Sequence, residues 1–152
     1  MRVKIRLDVG EKRRREVEQA LTACGIEIDD GADLILCETV HGPERLLVRD
    51  DETGELVPLP VDDIVYIEAF GHDMEVHTSE RSYRLTERLY KLLDALGPER
   101  FLRISNSVII AKDKISSIAP TLSMKFVLTM QNGKKVDVTR SYYYIFKDSF
   151  GI

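Results

Sequence analysis

Residues 101–144 decide how this chain is read: FLRISNSVIIAKDKI runs from Phe101, and NGKKVDVTRSYYY runs from Asn132. The alternation of Leu102, Ile104, Val108 and Ile110 predicts a half-buried strand. Ser105-Asn106-Ser107 interrupts it. Asn106 falls on the apolar phase, so it is either a buried, hydrogen-bonded amide or the residue at which the strand breaks. Ser-Asn-Ser is loop chemistry, which favours the break. Further on, Asn132-Gly133 is the strongest hairpin signal in the chain and predicts a type I′ turn, with φ > 0 at both central residues. The strand after it ends on Thr139, Arg140 and Ser141. An amide, several hydroxyls and a guanidinium are thereby expected at strand ends. Residues 101–152 hold eight Lys/Arg against three Asp/Glu, a local balance of +5 in a chain of net charge −4. Basic, amide-bearing loops on a β scaffold suit a reader of nucleic acid better than a catalyst.

The rest of the chain is acidic. Residues 1–57 carry nine basic and fourteen acidic side chains, and residues 58–100 carry five and nine. Phosphate responds to charge within a Debye length of about 8–10 Å, so a local basic patch matters more to it than the total. With 152 residues, 43% hydrophobic and 32% charged, the composition is that of a folded protein with one or two small domains. No apolar run approaches a membrane span, and MRVKIRL at the N-terminus lacks a signal-peptide core. A cytoplasmic location is expected, with Cys24 and Cys37 as reduced, buried thiols.

Outward from the deciding stretch, residues 2–7 predict a strand and residues 11–24 a helix with Val17, Leu21 and Cys24 on one stripe, stopped by Gly25. ADLILC (32–37) predicts a short buried strand, broken at His41-Gly42-Pro43. The two prolines of Val57-Pro58-Leu59-Pro60 predict an extended, unladdered boundary. The expected division is therefore 1–57, a small β-α-β segment, and 58–152. In the second part, strands are expected at 64–69, 74–78 and 83–85. Thr86 is the expected N-cap of a leucine-faced helix that Gly97-Pro98 ends. Strands then follow at 102–104, 108–110, 115–118, 125–130 and 136–139, with a last helix over 142–150. The fold class is mainly β, with one or two short helices, after a small α+β segment.

VDDIVYIEAFGHDMEVHT, the leucine helix running into LGPERFLRI, the polar break, the hairpin and VTRSYY together resemble the LytTR DNA-binding domain family, over about residues 59–152. The resemblance implies small antiparallel sheets whose loops enter successive major grooves of double-stranded DNA at repeated sites and bend the duplex. It maps base contacts onto Arg140, Asn106 and His72, although Asp73 or Met74 is an alternative to His72. A guanidinium suits guanine O6/N7, and an amide suits adenine N6/N7 or a phosphate. Ser105, Ser107, Lys112, Lys114, Lys134, Lys135, Thr139 and Ser141 are the expected phosphate contacts. Histidine or a basic residue, common in the family's polar break, is replaced here by Ser105 and Asn106. Ala111 stands where asparagine is common.

Competing readings stand beside these. Tyr142-Tyr143-Tyr144 is either a stacking platform for bases or, more commonly, core. Lys12-Arg13-Arg14-Arg15 wraps around a helix axis as a solvated stretch. Cys37 and His41 lack an orienting third group, and no phosphate loop or nucleophile elbow is present, so no catalysis, metal, cofactor or small-molecule substrate is expected. ADLILCE resembles the phosphorylation strand of a receiver domain with Glu38 in place of aspartate, and no phosphorelay is expected. A stand-alone regulator controlled by abundance, by homodimerisation or by a restraining membrane protein is the expectation by resemblance. The alternative is a protein–protein interaction module that does not bind DNA specifically.

Overall fold

The computed structural model describes residues 1–7, 9–38 and 42–152, and the chain divides into two compact units, Met1–Val40 and His41–Ile152. The first unit runs β1 (Arg2–Arg6), α1 (Glu11–Ala23), β2 (Glu27–Ile28) and β3 (Leu34–Cys37). Its strands form one parallel sheet in the order β2-β1-β3. Val3 and Ile5 are its buried apolar residues, while α1 buries none. Gly25 follows α1 with φ +78°, as its sequence position suggests. The expected burial of ADLILC is not met: all four residues of β3 are exposed, and so are both cysteines. A continuous apolar strand is ordinarily covered on both faces, and here α1, the one helix among the described residues of this unit, buries none of its own side chains. The expected break at His41-Gly42-Pro43 and the pairing of Cys37 with His41 involve His41, which lies outside the described residues.

The second unit begins with β4 (Arg45–Arg49) and β5 (Leu56–Pro60), so the expected boundary at Val57/Pro58 falls inside a strand. Nor is that segment unladdered, since β5 pairs antiparallel with β4 from Arg45↔Pro60 to Arg49↔Leu56. β5 is the edge of its sheet. Val61 donates its N–H to Glu44 O, which sets the phase: residues 57, 59 and 61 face β4 and the prolines face outward. An edge strand tolerates a missing donor there.

β6 (Tyr66–Phe70), β7 (Asp73–His77), β8 (Ser82–Leu85), α2 (Leu89–Leu96), β9 (Phe101–Arg103) and β10 (Val108–Ala111) follow. They complete a seven-stranded sheet ordered β5-β4-β8-β7-β6-β10-β9. α2 starts two residues later than Thr86 predicts, with Arg88 at the N-cap position, and the Thr86 hydroxyl donates instead to Asp73 Oδ1 (3.4 Å). Leu89, Leu92 and Leu96 are buried on one face. They join Val48, Ile64, Ile67, Val76 and Ile109 in a first core.

β11 (Ile115–Pro120), β12 (Phe126–Met130) and β13 (Lys135–Val138) form a separate antiparallel sheet, and α3 (Tyr143–Phe150) ends the chain. A second core joins this sheet to the larger one: Val65, Ile104, Val108 and Ile110 pack with Phe126, Leu128, Val136, Val138 and Phe146. The hairpin at Asn132-Gly133 is present but is not type I′, because only Gly133 has positive φ (+81°). Gly133 N–H donates to Met130 O and Met130 N–H to Lys134 O. That is a three-residue loop, the type I turn followed by a left-handed glycine. In α3, Phe146 is fully buried while Ile145 is 52% exposed.

Candidate nucleic-acid interface

Three chain segments meet at one end of the second unit. The first is the turn between β6 and β7, which carries Gly71 and His72, both exposed. Its position is fixed by the pairing of β6 with β10, continued by Ala69 N–H donating to Ser107 O at 2.7 Å. The second is the Ser105-Asn106-Ser107 bend between β9 and β10. Here the strand does break, and Asn106 is exposed instead of buried. The third is the turn leaving β13, where Thr139 N–H donates to Ile104 O at 3.0 Å and Arg140 stands exposed at the start of a one-turn 3-10 helix. Residues 72, 106 and 140, far apart in sequence, therefore share one surface.

A compact network shapes the middle segment. Arg103 donates Nε–H to Ser105 O (3.1 Å) and Nη2–H to Asn106 O (2.7 Å). The same guanidinium lies 5.8 Å from the centroid of Tyr142. The Tyr142 hydroxyl donates to Asn106 Oδ1 at 3.2 Å. Ser105 is buried at 8%, and its Oγ accepts the Ser107 N–H at 3.2 Å. Ser105, expected at a phosphate, is thus engaged inside the loop, while Ser107 and Ser141 are exposed and Thr139 is half-buried. Of the tyrosines, Tyr142 serves the bend, Tyr143 stacks on Phe126 (4.9 Å), and Tyr144 is exposed. The roles of Arg103 and Tyr142 escaped the sequence reading. Arg103 lies on a strand whose end it folds back to cap, and the aromatic run held three residues with three different fates.

The four candidate lysines lie elsewhere. Lys112 and Lys114 are in a one-turn 3-10 helix after β10, at the end of that strand away from Ser107. Gln131 N–H donates to Lys114 O, which brings Lys134 and Lys135, at the start of β13, to the same end. Lys135 precedes Thr139 by the length of β13, roughly 13 Å at the usual strand rise. The second unit thus has one end carrying amide and guanidinium and another carrying ammonium groups.

His77 belongs to neither. Its ring stacks on Tyr66 at 4.2 Å, and Nδ1 lies 2.9 Å from Ser82 Oγ. Among the described residues Nε2 is buried with no hydrogen-bond partner, 3.6 Å from Glu68 and 3.9 Å from Glu75. Burial pushes its pKa below the ordinary value, and the two carboxylates oppose that shift only in part. Among the described residues no helix is long and apolar enough to cross a membrane.

Comparison with known proteins places this geometry. A Bacillus cereus LytTr DNA-binding domain of known structure superposes with a TM-score of 0.68 at 26% identity, covering 73% of this chain and all of that one. The Transcriptional regulatory protein LytR of Staphylococcus aureus (strain bovine RF122 / ET3-1) is 26% identical over 144 residues, 94% of this chain and 58% of the relative. The Sensory transduction protein LytT of Enterococcus faecalis is 26% identical over 142 residues, 93% of this chain and 53% of the relative. The chain therefore spans little more than half the length of these relatives. The profile of the LytTr DNA-binding domain matches residues 54–151, well over half of the sequence, and the chain belongs to that family.

Proposed function

We propose that this protein is a transcriptional regulator that binds double-stranded DNA and reads its sequence in the major groove through the surface formed by residues 72, 106 and 140. The observation that carries the proposal is the convergence of three loops at one end, held by Ala69 N–H to Ser107 O, Thr139 N–H to Ile104 O, and Tyr142 to Asn106. Such convergence supports a site that combines donors of different geometry. Arg140 grips guanine O6 and N7, Asn106 reads a neighbouring base edge, and His72 reaches the next groove segment. Ser107, Thr139 and Ser141 take adjacent phosphates. The lysines at the far end reach flanking phosphates when the duplex bends toward them, which ties the bending expected of this family to the placement of Lys112, Lys114, Lys134 and Lys135. DNA as ligand implies an intracellular setting.

The test is selection of bound fragments from a genomic library, followed by rebinding at two salt concentrations. The expected result is a short repeated motif whose enrichment disappears with Arg140→Ala. That variant should lose about 1–3 kcal/mol on the selected site, with sequence-blind binding retained. Weak, sequence-blind retention by the native protein at low salt alone would overturn the proposal and favour a protein-interaction module.

A further inference from the structure

In the unit Met1–Val40, β3 is an apolar strand whose four residues are all exposed. In β3, Leu34 is 54% exposed, Ile35 50% and Leu36 37%, and β3 is the outer strand of its sheet. Register assigns their faces. Leu34 and Leu36 lie beside Val3 and Ile5, on the sheet face whose β1 residues are buried, and Ile35 lies beside Lys4 on the other. Both faces of the strand are therefore apolar, as in strands buried within parallel sheets. The edge also lacks the usual protection, having no lysine, proline or bulge between Leu34 and Cys37. A unit of this size with two buried apolar residues in its strands is at the limit below which folded segments need a partner.

We propose that the partner is a second copy of this chain, joined by antiparallel pairing of β3 with its own counterpart across a two-fold axis. The sequence of the strand selects this occupant because it is self-complementary in one register. A two-fold perpendicular to the sheet keeps each face continuous only if a residue pairs with itself. Centred on Ile35, the pairing sets Ile35 opposite Ile35, Leu34 opposite Leu36, and Asp33 opposite Cys37. Every aliphatic residue meets an aliphatic one, and no like charges meet. Centring on Leu36 would place Leu34 opposite Glu38, and centring on Leu34 would bring Asp30 to Glu38. The product is a six-stranded sheet carrying two DNA-binding units, which matches a two-fold protein to repeated sites and turns a short interface into avidity on DNA. The inference does not depend on which bases are read.

The experiment uses the full chain. Light scattering after gel filtration should give a concentration-dependent dimer for the native protein and a monomer for Ile35→Lys. Ile35→Cys in a Cys24→Ser, Cys37→Ser background should form a disulfide-linked dimer on mild oxidation, because self-opposed strand residues meet disulfide geometry. Leu36→Cys in the same background should crosslink poorly. On duplexes, Ile35→Lys should bind one site as the native protein does and two spaced sites about tenfold or more weakly. A native protein that stays monomeric at high concentration would overturn the proposal, as would a dimer that survives Ile35→Lys or equal crosslinking at positions 35 and 36. Loss of single-site binding by Arg140→Ala with the dimer intact separates this interface from the base-reading surface.

Discussion

The hydroxyl of Tyr142 donates to Oδ1 of Asn106 across 36 residues of sequence, so an aromatic side chain just before the last helix orients the amide in the bend between β9 and β10. With one of the two lone pairs of Oδ1 occupied, Asn106 presents two Nδ2 hydrogens and a single remaining acceptor position. On the proposed reading, the Tyr142 hydroxyl therefore fixes how the amide faces a base edge and biases it toward acceptors such as guanine O6 or thymine O4. Tyr142→Phe should weaken specific binding by roughly two- to tenfold and change the base preferred at one position, with thermal stability nearly unchanged. Binding to duplexes carrying each base at that position tests this. An unaltered preference would remove Tyr142 from specificity.

The separation of the lysines from the loops predicts a length effect. Lys134→Ala/Lys135→Ala should leave binding to a minimal duplex and its salt dependence unchanged. On a duplex extended by a helical turn at each end, the salt slope should fall by about 2, close to 0.9 for each phosphate no longer neutralised. Equal effects on both duplexes would show that these residues touch the central site directly.

Phe146 is wholly buried between Phe126 (5.0 Å) and Phe150 (4.7 Å). Phe146→Ala should cost about 3–5 kcal/mol of stability. Because α3 follows directly on the 3-10 turn that begins at Arg140, the same change should lower specific affinity even at temperatures where the protein remains folded. Urea unfolding beside a binding titration separates the two effects.

His77 makes the fold sensitive to acid. Its folded-state pKa lies below the ordinary 6.5, chiefly through burial, so the unfolded chain takes up a proton more readily than the folded one. Stability is therefore fully present above pH 6.5 and declines as the pH falls below it toward the folded-state pKa. Glu68 and Glu75 soften the effect without reversing its sign. Thermal melts of the native protein and His77→Gln at about pH 7.5 and 5.5, either side of the ordinary imidazole value, should show a smaller drop in the variant. A larger drop in the variant would mean that the imidazolium is stabilised by its two carboxylates.

What sequence made legible was local. Ser105-Asn106-Ser107 announced a break because hydroxyl and amide side chains compete for backbone groups, and Ser105 Oγ does accept the Ser107 N–H. Asn132-Gly133 marked a hairpin, but its loop length depended on where Met130 and Lys134 pair, which is a property of two strands together. Prolines 58 and 60 indicated missing donors without indicating that both face an open edge. Thr86 had the chemistry of a cap, yet Asp73 on another strand took its hydroxyl. The candidates at residues 72, 106 and 140 were found one by one. That they share a surface follows from the β6–β10 pairing and the crossing from β13 to β9, which no periodicity encodes.

Asn106 belongs to the large sheet, whereas Arg140 leaves the small one, and the apolar side chains of the second core lie between those two sheets. The distance between these two candidate groups is therefore a packing dimension, set like the jaws of a calliper by Ile104, Leu128 and Val138. Enlarging or trimming one of these side chains would move the jaws by a fraction of a base-pair rise while leaving every residue of the proposed DNA-binding surface unchanged. On the proposed reading, sequence preference can thus drift through positions that never meet solvent.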